Sequence, residues 1–149
     1  MDDSSSNNSF ANALFAVFKD YTRRKILHIL RETRLTADEI TKIIGISRPA
    51  IEKHLKQMME IGLIERVADT FPTLRYIYSI SQPGLELIAN LEECINTYII
   101  NLYTDYSRRL ENEEQSYLLG YSTKERYLSI KESYKNILEK LQKAKKFKV

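Results

Sequence analysis

The groups with the most to offer chemically lie in one short run. Ser47-Arg-Pro-Ala-Ile-Glu-Lys-His-Leu-Lys56 places a hydroxyl, a guanidinium and two ammonium groups on what reads as a single helix. Such groups bind phosphate oxygens and base edges. Arg48 has the planar fork that fits guanine bidentately. Pro49 and Lys53 can approach base edges beside it, and Lys53 and Lys56 add charge toward a phosphate backbone. Glu52 can accept from a cytosine amine, or pair with Lys56 one helical turn on. Ser47 and the first amides of the helix can hold a phosphate. Downstream, Arg66 and Arg75 flank a polar loop; one of them is expected in a minor groove, where narrow A·T tracts attract arginine. Thr70 and Thr73 can bond phosphates at the loop tip. Upstream, Arg23, Arg24 and Lys25 crowd the first turns of a helix, where cations oppose the helix dipole. A phosphate would explain them, and so would a solvated face.

Other chemistries find little material. No P-loop, G-x-G-x-x-G, H-E-x-x-H or nucleophile elbow occurs, and the chain has four glycines and two histidines. Neither an enzyme nor a cofactor is expected. His28, His54 and Cys94 are too few for a closed metal site, and both histidines read as structural. A single cysteine cannot form an internal disulfide. The start, MDDSSSNNSF, has no apolar core of a signal, and no run of 18 apolar residues occurs. The expectation is a cytoplasmic protein with no membrane contact.

Net charge is +3 over 149 residues, too mild to name a partner. Its distribution says more. Residues 19–80 hold 12 Lys/Arg against 8 Asp/Glu, residues 81–149 hold 11 against 10, and Asp2 and Asp3 make the start acidic. The excess sits on the segment that would meet phosphates.

The elements that must position these groups follow from caps and periodicity. Residues 1–8 have no apolar group after Met1 and are expected to be disordered. A first helix should run from about Ser9 to Lys19, apolar on more than one face. A second should start near Asp20 or Thr22, end near Thr33, and carry Ile26, Leu27 and Leu30 inward. Thr36-Ala-Asp-Glu39 is a capping box; Gly45 should end that helix with a positive φ. Ser47 caps the next, which turns Ile51, Leu55 and Met58 inward and stops at Gly62. Leu63–Ala68 and Arg75–Ile80 read as two strands of a hairpin with a protruding tip. Helix, turn, helix and hairpin in that order describe a winged helix-turn-helix over residues 9–81, and the second helix of that unit is the DNA-reading element.

Residues 82–149 read as helical. From Gln82 to about Tyr117 the apolar positions recur by threes and fours, and a helix of that length spans about 54 Å, more than the diameter of such a domain. Gly120 breaks the pattern, Ser122-Thr-Lys-Glu125 reads as a second capping box, and a last helix can fold back antiparallel. The basic end, Lys140 to Lys148, is expected to be a frayed, solvated tail. The fold class is therefore mainly α with a small β-hairpin wing, plus long C-terminal helices forming an antiparallel or coiled-coil dimerisation element. Phe10, Leu14 and Phe18 of the first helix and Ile88, Leu91, Ile95, Tyr98, Leu102 and Tyr106 of the long one are the expected interface of a homodimer.

Leu35–Ser81 resembles the ArsR-like winged-helix transcription regulators and their MarR and PadR relatives, especially archaeal members. The matching residues are LTADEI, the turn GIS, Ile51-Glu-Lys-His-Leu-Lys56, Glu60-Ile-Gly-Leu-Ile64, Arg75-Tyr-Ile-Tyr-Ser-Ile80 and Ser81-Gln-Pro-Gly84. The resemblance implies double-stranded DNA as partner, bound by a homodimer at a pseudo-palindromic site. It departs from the metal-sensing members, which place cysteine pairs on the opening helix of the motif. Two rivals stand beside it: a winged helix that binds protein through Met58, Met59 and Ile61, and a small-molecule effector pocket that the ten tyrosines would permit.

Overall fold

A computed structural model describes residues 4–144 and 146–149. Its elements are α1 (Ser4–Lys19), α2 (Tyr21–Glu32), β1 (Leu35–Thr36), α3 (Ala37–Ile44), α4 (Arg48–Glu60), β2 (Ile64–Asp69), β3 (Arg75–Ile80), α5 (Gln82–Leu118) and α6 (Lys124–Lys143). The chain divides into two compact units, Met1–Ala89 with Val149, and Asn90–Lys148. No helix among the described residues is long and apolar enough to cross a membrane.

In the first unit α1 begins at Ser4, not near Ser9. Residues 4–8, expected to be disordered, are helical, with no Pro or Gly to interrupt them. Residues 1–3 of that expectation lie outside the described residues. Helix α2 opens on Asp20, whose carboxylate accepts the Arg23 N–H at 2.9 Å, a cap worth about 1 kcal/mol. Its stripe of Ile26, Leu27 and Leu30 is buried as its spacing requires.

Thr36 has two tasks. Its backbone lies in β1, opposite Ile77 of β3. Its hydroxyl accepts the Glu39 N–H at 3.3 Å while its own N–H donates to Glu39 Oε2 at 2.8 Å, the reciprocal cap of α3. That amide donation, chiefly, holds the Glu39 carboxyl below the usual carboxylate range. Strand β1 was not expected: two residues carry no alternation to read. Gly45, at φ +80°, ends α3 in the left-handed conformation that glycine adopts without strain. Ser47 then caps α4, accepting from Ala50 N–H at 3.4 Å, with Pro49 in the first turn.

Ile51, Leu55 and Met58 of α4 are fully buried with Ile26, Leu27 and Ile40. Each contributes about 1.5–3 kcal/mol relative to exposure. The sheet order is β1-β3-β2, antiparallel throughout. Register pairs Ile64 with Ile80, Arg66 with Tyr78 and Asp69 with Arg75. Alternation puts Ile64, Tyr78 and Ile80 on the buried face and leaves a tip, Thr70–Leu74, beyond the last pair. The sheet leads into α5 through Ser81. Its hydroxyl donates to the Gly62 carbonyl at 2.6 Å and accepts the Gly84 N–H at 3.0 Å.

The second unit is an antiparallel helix pair made from the remainder of α5 and from α6. Tyr117 stacks flat on Tyr127 with centroids 4.7 Å apart, and Tyr106 meets Tyr134 edge-on at 5.4 Å. Partners step apart along the chain in opposite directions, as antiparallel packing requires. Asn96 completes the series. Its side chain donates to the Phe147 carbonyl at 3.1 Å and accepts the Phe147 N–H at 2.8 Å. The chain end is thus pinned at Phe147 instead of frayed, because Asn96 offers both halves of a backbone pairing. Lys145 of the basic tail lies outside the described residues. The cap of α6 also differs from expectation. Thr123, not Ser122, accepts from the third residue, Arg126, at 3.3 Å. An arginine there cannot reach back, so no reciprocal box forms, and Ser122 Oγ is buried without a partner.

Candidate nucleic-acid interface

The outer face of α4 and the hairpin β2–β3 enclose an open cleft of about 860 Å³. Helical spacing brings Arg48, Glu52, Lys56 and Met59 to its α4 wall, four and three residues apart. The hairpin supplies Arg66, Thr73, Leu74, Arg75, Tyr76 and Tyr78, and α3 supplies Asp38 at one end. Four cations therefore line a cleft that holds two carboxylates, Asp38 and Glu52.

Arg48 is exposed at the start of α4. Its Nη1 lies 2.6 Å from Asp38 Oδ1 and its Nε lies 3.0 Å from Glu52 Oε1. These bonds, the one from Glu52 first, favour its charged form further. The partner of Glu52 is thus Arg48, one turn before it, and not Lys56. Arg66 lies over the Tyr76 ring, 4.1 Å from its centroid, an arrangement that keeps the guanidinium in the cleft while its charge stays available. Arg75 Nε and Nη2 both reach Asp69 Oδ2 at 2.9 Å. The same aspartate accepts the Phe71 N–H at 3.4 Å, and the Arg75 bond holds its carboxyl below the usual range.

Of the residues expected at the interface, Arg48, Glu52, Lys56, Arg66, Thr73 and Arg75 share this cleft. Ser47, Pro49 and Lys53 lie exposed on the adjoining α4 surface, and Thr70 is exposed at the tip. Arg23 and Arg24 do not join them. Arg23 donates to Ala16 O at 3.0 Å, to His54 Nδ1 at 3.2 Å and to Gln57 Oε1, tying α1, α2 and α4 together. Arg24 donates to Phe18 O and Lys19 O at 2.7 and 2.9 Å. The carbonyls at the end of α1 are the negative groups these cations serve. The sequence left a phosphate and a solvated face open for these cations, because nothing in α2 reveals where α1 ends in space. Lys25 lies 4.9 Å from the Tyr21 ring centroid. Asp38, Tyr76 and Tyr78 were not singled out from sequence; only the register that faces Tyr76 and Tyr78 toward α4 identifies them.

The expected apolar interface is also redistributed. Ile88 is fully buried within its own protomer and cannot reach another copy. Its position in the second turn of α5, close after the Ser81 junction, makes it core. Leu14 and Phe18 are half-buried, and Val17 takes the core position of α1. Phe10 and Tyr98 remain exposed, with Phe15 beside them in exposure. Leu91, Ile95, Leu102 and Tyr106 are half-buried, Tyr106 against Tyr134 of α6.

Residues 20–66 match the family model described as "Bacterial regulatory protein, arsR family". Over 95 residues the chain is 30% identical to the HTH-type transcriptional regulator Rv2034 of Mycobacterium tuberculosis, covering 63% of this chain and 82% of that protein. Over 53 residues it is 38% identical to the transcriptional repressor SdpR of Bacillus subtilis, 36% of this chain and 59% of that one. The chain spans 49% and 59% of the length of two of the curated relatives that it matches. Among solved structures, the homodimeric winged helix-turn-helix DNA-binding domain of Mb0332 from Mycobacterium bovis aligns with a TM-score of 0.55 at 17% identity, over 64% of this chain and 86% of that one. That likeness is one of fold. These relatives are bacterial, and the archaeal leaning of the sequence resemblance has no support among them.

Proposed function

The chain belongs to the arsR family of bacterial regulatory proteins, a family of transcription regulators, and on that premise we propose that it is a sequence-specific DNA-binding regulator acting as a homodimer. Helix α4 enters the major groove with Arg48, Pro49, Glu52 and Lys53 toward base edges. The hairpin rides the adjoining backbone and minor groove. Lys56, Arg66, Arg75, Thr70 and Thr73 meet phosphates, and Ser47 with the first amides of α4 holds another. Two heads on a two-fold axis bind a pseudo-palindromic site with half-sites about 34 Å apart.

The observation that carries this reading is the cleft in which Arg48, Lys56, Arg66 and Arg75 converge from two separate elements. Four cations set against two tyrosines suit a ligand with a polyanionic backbone and flat bases. The test is a gel-shift series on duplexes from the source genome at rising salt. Affinity should fall steeply, with a log–log slope near the number of phosphates neutralised. Absence of any duplex binding at low salt refutes the reading and favours a protein-binding winged helix.

A further inference from the structure

The hairpin tip carries a feature that phosphate contact does not use. Phe71 is 83% exposed and Leu74 is 65% exposed, at the far end of the hairpin. Neither ring nor methyl groups can serve a phosphate. The stalk beneath them is tied. Asp69 and Arg75 are the last register pair, their side chains bond each other, and Asp69 also accepts the Phe71 amide. Behind the tip stand the cations of the cleft, Arg66 and Arg75 on the hairpin and Lys56 on α4. An apolar group held forward of a cationic base is what a wedge between base pairs requires. The charges grip the two backbones while the ring replaces a lost base–base stack.

Resting on the DNA-binding reading above, we propose that Phe71 is a minor-groove wedge that enters a base step at the flank of the site and bends the duplex away from the hairpin. The wedge selects for steps that unstack readily, TA and CA/TG, so it adds specificity at positions that α4 does not touch. Arg75 has a reduced part in this arrangement. Its guanidinium braces the tip through Asp69, and Arg66 is the hairpin cation left to follow the backbone.

The test uses the full-length protein and duplexes that it selects from a random pool, labelled at both ends for energy transfer. Wild type should bring the ends closer, a bend of roughly 20–90°. Phe71→Ala and Phe71→Ser should leave the duplex straight and bind these duplexes about tenfold more weakly, with an unchanged salt slope because no phosphate contact is lost. Phe71→Leu should restore most of the bend. Thermal melting should be the same for all four proteins, since the ring supports no core. Equal bending by wild type and Phe71→Ala, or tight binding by wild type without a bend, overturns the wedge and leaves the DNA-binding reading standing. Failure of wild type to select any duplex overturns both.

Discussion

Arg48 Nη1 sits 2.6 Å from Asp38 Oδ1, an ion pair that joins α4 to α3. Glu52 holds the same guanidinium from the other side. The residue best shaped to read guanine is therefore held by two carboxylates, at the mouth of the cleft. Both pairs are exposed, so water competes for them and they add little stability. On the proposed reading their effect falls on the partner: each carboxylate would repel phosphate and would have to release Arg48 before a base could take it. Asp38→Asn should leave the melting temperature nearly unchanged and tighten duplex binding, chiefly through a faster association rate at low salt. Arg48→Ala should weaken binding about ten- to a hundredfold on a selected site and far less on scrambled DNA. Equal losses on both would make Arg48 a phosphate contact.

His54 gives the head a sensitivity to acid. It is half-buried on α4, and its Nδ1 accepts the Arg23 Nε–H at 3.2 Å. Burial, first, and then the nearby Arg23 and Lys53 charges push its pKa below the usual histidine value, against the pull of Asp20. The unfolded chain therefore takes up a proton before the folded one does. Stability from this group is complete above about pH 6.5 and is lost as pH falls below it toward the folded pKa. Protonation would also face the Arg23 guanidinium with a second cation. His54→Gln keeps an acceptor for Arg23 and removes the titration. Its melting temperature should vary less between pH 7 and pH 5 than that of wild type. An identical slope would show that His54 does not carry the effect.

Arg23 itself should behave as a structural residue. Arg23→Gln should cost about 2–3 kcal/mol in denaturant unfolding, because bonds to charged donors are lost and the Ala16 carbonyl and Gln57 lose partners. The salt slope of duplex binding should stay at its wild-type value. A slope lower by about one would return Arg23 to the phosphate set.

The sequence was most legible where one local rule decides the outcome. The Thr36–Glu39 box, Gly45, the Ser47 cap and the buried triad Ile51, Leu55 and Met58 each follow from spacing within a few residues, and all form as that spacing requires. It was least legible where meaning depends on a neighbour distant in the chain. Arg24 is explained by carbonyls of a helix whose end lies beside it only after folding. Asp38 matters because Arg48, ten residues later, folds back to it. The cap of α6 fell on Thr123, whose backbone is extended, and not on Ser122 as its spacing to Glu125 suggested. Ile88 fits the apolar repeat of α5 as well as Leu91 does. Nothing in the repeat says where the head ends.

Gly84 should tolerate no side chain. A Cβ there would lie 2.5 Å from the Leu63 carbonyl oxygen and 2.9 Å from Ser81 Oγ. The first is backbone and cannot swing aside. Gly84→Ala should therefore displace the start of α5 and cost about 1–3 kcal/mol. Ser81→Ala removes the group that joins Gly62 to Gly84 and should cost about 1–2 kcal/mol. The two should not add, since both break one knot. A double mutant as unstable as the sum of the singles would mean that the junction is held elsewhere.

The proposed homodimer is tested at α1. Phe10 is 56% exposed and Phe15 70% exposed, while Val17 of the same helix fills the core. Two large exposed rings on one helix have no structural return in a single copy. A self-complementary patch on a two-fold axis would use each ring twice, once from each copy. Phe10→Glu with Phe15→Glu should leave the single-copy fold intact, by circular dichroism, and halve the mass measured by light scattering at micromolar concentration. Because α4 stays untouched, binding to one half-site should persist while the gain from a second, correctly spaced half-site disappears. An unchanged mass would move the dimer contact off α1 and onto the exposed surface around Tyr98, where Tyr98→Glu is the corresponding variant.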